Sequence, residues 1–223
     1  MDGIEELKSL LCIGGSASEE EIIKSFDRIA ELLINHAIIR RGERSFRIEE
    51  IEFYFYNNQH RDLITYPRIT KPLQWYRNAF FGVDLTFDSK MGTTYEDGEL
   101  LYTLDGSPCF GGILIRRLSC NGKITDKPRN CANALFDVLD AAQISDNYPI
   151  LEIEGYVRGM HIDTKPRTNI LKECTEEMAK KKVETILWNN FYVNESAEDW
   201  MVNEFIKFVD RPYKYYSVQK IER

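Results

Sequence analysis

Ser45-Phe46-Arg47-Ile48-Glu49-Glu50-Ile51-Glu52-Phe53-Tyr54-Phe55-Tyr56 is the stretch on which the fold turns. Its aromatic and β-branched residues, without glycine or proline, predict a long strand. Side chains alternate across a strand, so strict period 2 places Phe46, Ile48, Glu50, Glu52, Tyr54 and Tyr56 on one face. Arg47, Glu49, Ile51, Phe53 and Phe55 fall on the other. Upstream, His36 to Arg40 reads as a second strand and Arg41-Gly42-Glu43 as a tight connection, which makes a hairpin.

Working outward, Ser18 with Glu21 fits a capping box. Ile22, Phe26, Ile29 and Leu33 recur at helical spacing behind it, predicting a helix from about 19 to 34. Gly14-Gly15 separates it from a short helix near residues 3–11. Prolines at Pro67 and Pro72 argue against a central strand between Asn57 and Leu73. Phe81 to Phe87 reads as a strand, residues 89–109 as an exposed loop or long hairpin, and Gly111 to Leu118 as a buried strand. Pro128 to Leu139 is helical in pattern, Ile150 to Ile162 strand, turn and strand, Thr175 to Trp188 a helix, and the aromatic Glu204 to Val218 strand-like. The expectation is an α/β chain of the α+β type, a mixed, largely antiparallel curved sheet flanked by helices. At 223 residues it fits one domain, with 1–17 as an N-terminal helical extension.

With 43% hydrophobic and 29% charged residues, composition is that of a globular protein. No apolar run reaches the ~20 residues of a membrane span. The acidic start Met1-Asp2-Gly3-Ile4-Glu5-Glu6 has no secretory pattern, so an intracellular location is expected, in the cytoplasm or in a nucleus; the chain is also expected to be a monomer. Five scattered cysteines without a CxxC pair and three distant histidines, His36, His60 and His161, give neither a disulfide framework nor metal-ligand spacing. The net charge of −7 repels polyanions at long range, so nucleic-acid binding would require local basic clusters, as at Arg40-Arg41, Arg116-Arg117 and Lys180-Lys181-Lys182.

Glu50 and Glu52 project side by side, and repulsion with partial burial suits one of them to act as a general base. As a solvated face, the same pair would carry no chemistry. Arg116 ends an apolar run and needs a carboxylate partner, for which Glu52 is the candidate; the bland alternative is an ordinary ion pair. Tyr54, Tyr56, Tyr66, Trp75, Tyr76, Phe80 and Phe81 could line a stacking pocket for a flat ring or simply fill the core.

Four segments, in order, resemble the methylpurine-DNA glycosylases, also called alkyladenine glycosylases. Arg47-Ile48-Glu49-Glu50-Ile51-Glu52-Phe53-Tyr54 is similar to that family's E-x-E-x-Y segment. Phe81-Gly82-Val83-Asp84-Leu85-Thr86-Phe87-Asp88 resembles its tyrosine-glycine strand. Gly112-Ile113-Leu114-Ile115-Arg116-Arg117-Leu118 resembles its strand ending in arginine, and Lys127-Pro128-Arg129 its following helix start. The resemblance spans roughly residues 29–162. It implies that Glu52 activates water, that Arg116 helps hold that water, and that Tyr54 stacks on a flipped base. Tyr66, His60 and Asp88 would complete the base pocket, and Phe81 would wedge into the duplex gap. Asp88 stands where the family has asparagine, Phe81 where it has a tyrosine, and Tyr66 where it has a histidine.

The function so implied is excision of an alkylated or otherwise modified base from duplex DNA by hydrolysis of its N-glycosidic bond, without metal or diffusible cofactor. The alternatives are a non-catalytic module for a modified base or nucleotide, favoured by the pI of 5.2, and an unrelated α+β protein with a structural Glu50–Glu52–Arg116 network. The glycosylase reading requires the Glu52 carboxylate in an aromatic cleft beside Arg116; burial of Glu52 in a closed core, or its turning outward to bulk solvent far from any cavity, would end it.

Overall fold

The computed structural model describes residues 2–78, 82–96, 99–104, 106–136, 147–167, 175–191 and 197–218. Helix α1 (Gly3–Leu10) is followed by α2 (Glu19–Glu31), whose capping box forms as expected: the Ser18 hydroxyl accepts from the Glu21 N–H and the Glu21 carboxylate accepts from the Ser18 N–H. A π-helical turn over Leu32–His36 ends it and feeds the hairpin of β1 (Ala37–Arg41) and β2 (Arg44–Asn57). Leu7 and Leu11 have no exposed surface and belong to the same apolar cluster as Phe26 and Phe53, so the N-terminal helix is part of the core rather than an appendage.

Next come β3 (His60–Arg61), β4 (Trp75–Asn78), β5 (Gly82–Thr86) and a separate two-stranded hairpin of β6 (Gly92–Glu96) and β7 (Glu99–Thr103). Strand β8 (Cys109–Cys120) turns at Asn121-Gly122 into β9 (Lys123–Asp126), and α3 (Pro128–Leu135) follows with proline in its first turn. The remainder is β10 (Ile150–Ile153), β11 (His161–Lys165), α4 (Glu176–Phe191), α5 (Asp199–Val209) and β12 (Lys214–Val218). The expected strand over Glu204 to Val218 is corrected in its first half. Val202, Phe205, Phe208 and Val209 are buried at helical spacing, so the chain winds α5 there before extending.

Every strand pair among the described residues is antiparallel, in keeping with the largely antiparallel sheet expected. Strand β2 is the spine: one edge pairs with β8 along most of its length, and the other pairs in succession with β1, β12 and β3. The main path runs β10-β1-β2-β8-β5-β4. Its two ends curl toward each other, because the Trp75 indole N–H at the start of β4 donates to the Pro149 carbonyl just before β10, at 2.9 Å.

Strict alternation fails in the middle of β2. Ile48 pairs with Leu118 and Ile51 with Ile115, while between them the pairing shifts at Glu50 and Arg117. Both strands therefore take a three-residue step between inward residues, and both turn over together. Phe46 and Ile48 thus join Ile51, Phe53 and Phe55 in one apolar cluster, correcting the faces expected from period 2. Glu50, Glu52 and Tyr54 keep a face without Phe46 and Ile48. Burying those five side chains contributes roughly 1.5–3 kcal/mol each, which favours the register in which both strands turn over.

No helix among the described residues is long and apolar enough to cross a membrane.

Candidate functional site

Directly paired residues in an antiparallel sheet point to the same face. Lys214 on β12 pairs with Glu52, Glu52 with Leu114 on β8, Leu114 with Asp84 on β5, and Asp84 with Tyr76 on β4. This row crosses the sheet on the face away from the main apolar cluster. Glycine at Gly112 keeps the next row open: a Cβ there would come within 2.9 Å of Arg68 Nη1 and 3.1 Å of the Asp84 side chain.

At the centre the Arg116 Nη1 donates to Glu52 Oε2 at 3.0 Å, so the expected contact between the two residues forms. The Tyr54 hydroxyl donates to the same oxygen at 2.9 Å. Arg116 Nε lies 3.3 Å from Glu50 Oε1, and Lys214 Nζ lies 2.9 Å from that oxygen and 3.9 Å from Glu52 Oε1. Arg117 reaches Glu50 Oε2 at 3.4 Å and Asp126 at 3.2 Å. Two glutamates side by side are thus held by cations from β8 and β12. Burial, followed by the charge of Glu52, pushes the Tyr54 hydroxyl far above its ordinary value, so it remains a proton donor to the carboxylate.

A second buried pair supports Tyr54. Arg167 and Asp62, both without exposed side-chain surface, are bridged at 2.6 and 3.1 Å, and the guanidinium lies over the Tyr54 ring at 4.7 Å from its centroid. One face of the tyrosine is therefore already covered by a cation. On the other side of the row Arg68 pairs with Asp84 at 2.6 Å and lies over Tyr76. Burial pushes the Asp84 carboxyl up in spite of that guanidinium.

Glu52 itself has no exposed surface. It sits in a polar cluster rather than among aliphatic side chains, yet the open aromatic cleft expected around it is not what surrounds it. Of the other expected site residues, His60 is fully buried, with Nδ1 2.8 Å from the Phe55 carbonyl and Nε2 2.8 Å from the Tyr213 hydroxyl. Its ring packs on Phe208 in the core and cannot also stack on a base. Tyr66 is 44% exposed, in the loop that carries Arg68. Asp88 is near the end of α1, where its N–H donates to the Leu11 carbonyl and its carboxylate lies 3.9 Å from Lys71. The carboxylate that shares the row with Glu52 is Asp84. Phe81, the expected wedge, lies outside the described residues, as does Phe80.

Sequence reading missed Lys214, Asp84, Arg68 and the Arg167–Asp62 pair. A signal existed for Lys214: in Tyr213-Lys214-Tyr215-Tyr216, Tyr213 and Tyr215 are core residues, so alternation sends Lys214 to the opposite face, with Glu52. Among the described residues no group of three or more His, Cys, Asp or Glu side chains could hold a metal ion. Burial pushes the Cys131 thiol up to about 12, which keeps it protonated near neutral pH. No protein-family model, no curated protein and no solved structure matches the chain.

Proposed function

We propose that the protein hydrolyses the N-glycosidic bond of a modified base flipped out of DNA, with Glu52 as the residue that activates water. The observation that carries this reading is the fixing of one Glu52 oxygen by both Arg116 and Tyr54 at the middle of the sheet's longest strand. In the reaction the bond between C1′ and the base nitrogen breaks, its electron pair leaving with the base. The water oxygen bonds to C1′, and Glu52 accepts the proton that water loses. Before that transfer the negative charge of the glutamate stabilises the cationic sugar of the transition state. Arg116 and Lys214 orient the carboxylate, and Tyr54 supplies a ring beside it. Glu52 is wholly covered, so this reading requires the side chains over it to move aside before a substrate can reach it.

The burial of Glu52 and the net charge of −7 favour a second reading, a module that binds a modified base or nucleotide without turnover. An abasic-site assay on duplexes containing alkylated bases or hypoxanthine separates the two. Base release that is lost in Glu52→Gln supports the enzyme; binding without release selects the module. If neither release nor binding occurs, both readings fail and the cluster is structural.

A further inference from the structure

The edge strand β4 carries another aromatic constellation, sharing no lining residue with the Glu50–Glu52–Arg116 cluster. A cavity of about 430 Å3 is lined by Leu73, Gln74, Trp75, Tyr76 and Tyr148 among others. We propose that this cleft binds a nucleotide through its base, stacked on Trp75 and Tyr148, with the phosphate turned toward Lys71 and Arg77. The proposal does not depend on what Glu52 does.

The rings are set in place by the fold. Trp75 is pinned by the hydrogen bond from its indole to Pro149, and stands edge-on to Phe136 at 5.7 Å and 79°. Tyr148 stands edge-on to the same Phe136 at 5.9 Å and 77° and is 49% exposed. Trp75 and Tyr148 are thus both anchored on Phe136, and both line the cavity. Small-molecule sites run from about 300 to 1,000 Å3, so the cavity suits a ligand near the lower end of that range.

The rim is strained and polar. Leu73 adopts φ +62°, a left-handed conformation unfavourable for a bulky side chain, and is held there by its N–H bond to the Thr86 carbonyl at 2.9 Å. Strain of this kind concentrates at ligand clamps. The Gln74 amide oxygen accepts from the Lys71 N–H at 3.0 Å, which fixes the side chain and presents its amino group as a donor for the acceptor edge of a base. The Lys71 side chain, next in sequence to the lining residue Thr70, is 80% exposed, and Arg77 is exposed on the edge strand that carries Trp75 and Tyr76. A flat ring bearing an anion matches these features, whereas a purely apolar ring would leave the Gln74 donor and the exposed Arg77 unused. Lys71 already lies 3.9 Å from the Asp88 carboxylate, which an incoming phosphate would have to displace. Stacking on fixed aromatics is tolerant of base identity.

Isothermal titration with adenosine monophosphate, anisotropy with a labelled pentathymidylate, and ribose 5-phosphate as the base-free control test the proposal. Both base-bearing ligands are expected to bind, and ribose 5-phosphate not. Tyr148→Ala and Trp75→Leu should each weaken binding at least fivefold, and Lys71→Ala should flatten its salt dependence. Because Tyr148 is half exposed, its variant should keep the wild-type melting temperature even if Trp75→Leu fails to fold. Equal affinity of the two base-bearing ligands assigns the cleft to free nucleotides, and a tenfold preference for the pentamer assigns it to single strands. Absence of binding, equal binding of ribose 5-phosphate, or unchanged affinity in a folded Tyr148→Ala protein overturns it.

Discussion

Replacing Arg116 by methionine removes the guanidinium that touches both buried glutamates while preserving much of its aliphatic volume. Its side chain is 12% exposed, and those of Glu50 and Glu52 are 4% and 0% exposed. Breaking a buried pair by removing one partner costs about 3–5 kcal/mol, because the remaining charge has no water to turn to. Lys214 stays 2.9 Å from Glu50 and 3.9 Å from Glu52, and the Tyr54 hydroxyl stays on Glu52, so both glutamates keep a partner. We therefore expect a destabilisation of about 3 kcal/mol, the lower end of that range. Neutralising the acid as well, in Arg116→Met with Glu52→Gln, removes the charge that Arg116 pairs in the wild type. The double variant should thus recover part of the loss, with a coupling of about 1.5 kcal/mol or more between the two sites. Urea unfolding at pH 7 of the wild type, both single variants and the double variant measures that coupling directly. Additivity of the two substitutions within about 0.5 kcal/mol would refute the idea that Glu52 depends on Arg116.

The buried His60 predicts an acid-sensitive fold. Burial lowers its pKa below 6.5, so the unfolded chain takes up the proton first; the stability present above that value is lost as pH falls through it toward the folded pKa. Urea midpoints measured from pH 7.5 to 5 should drop more steeply for the wild type than for His60→Gln, and equal slopes would remove His60 as the cause. Gly82 has φ +136° and an added Cβ would meet Pro128 Cβ at 2.7 Å, so Gly82→Ala should cost about 3 kcal/mol from strain plus overpacking. A thermal melt that leaves Gly82→Ala within a degree of the wild type would contradict that geometry.

Much of the architecture was legible where a local rule acts alone. Ser18 and Glu21 announce α2, the break at Gly42 announces the first hairpin, and the aliphatic run from Ile113 to Leu118 announces a buried strand. Where two rules competed, the reading slipped. In Glu204 to Val218 aromatic richness spoke for a strand, but the three- and four-residue spacing of Val202, Phe205 and Phe208-Val209 governed the first half. In β2 a strict period of 2 was assumed, although Ile48 and Ile51, like Ile115 and Leu118, are three apart. The contact between Glu52 and Arg116 could be anticipated because a charged residue ending an apolar run must find a partner. Which cations and carboxylates complete the cluster depends on strand order, and Lys214 lies 162 residues from Glu52 in sequence. No local pattern ties Arg167 to Asp62 or Arg68 to Asp84; those pairings follow only from the course of the loops.

The paired three-residue steps of β2 and β8 make the two strands behave as one ribbon given a half twist. A residue lost from only one of them would put oil against charge along everything downstream, since the other would still reverse its sides. Length changes at this point are therefore tolerable only in matched couples, and the sheet has a place where it can be altered in duplicate but not singly.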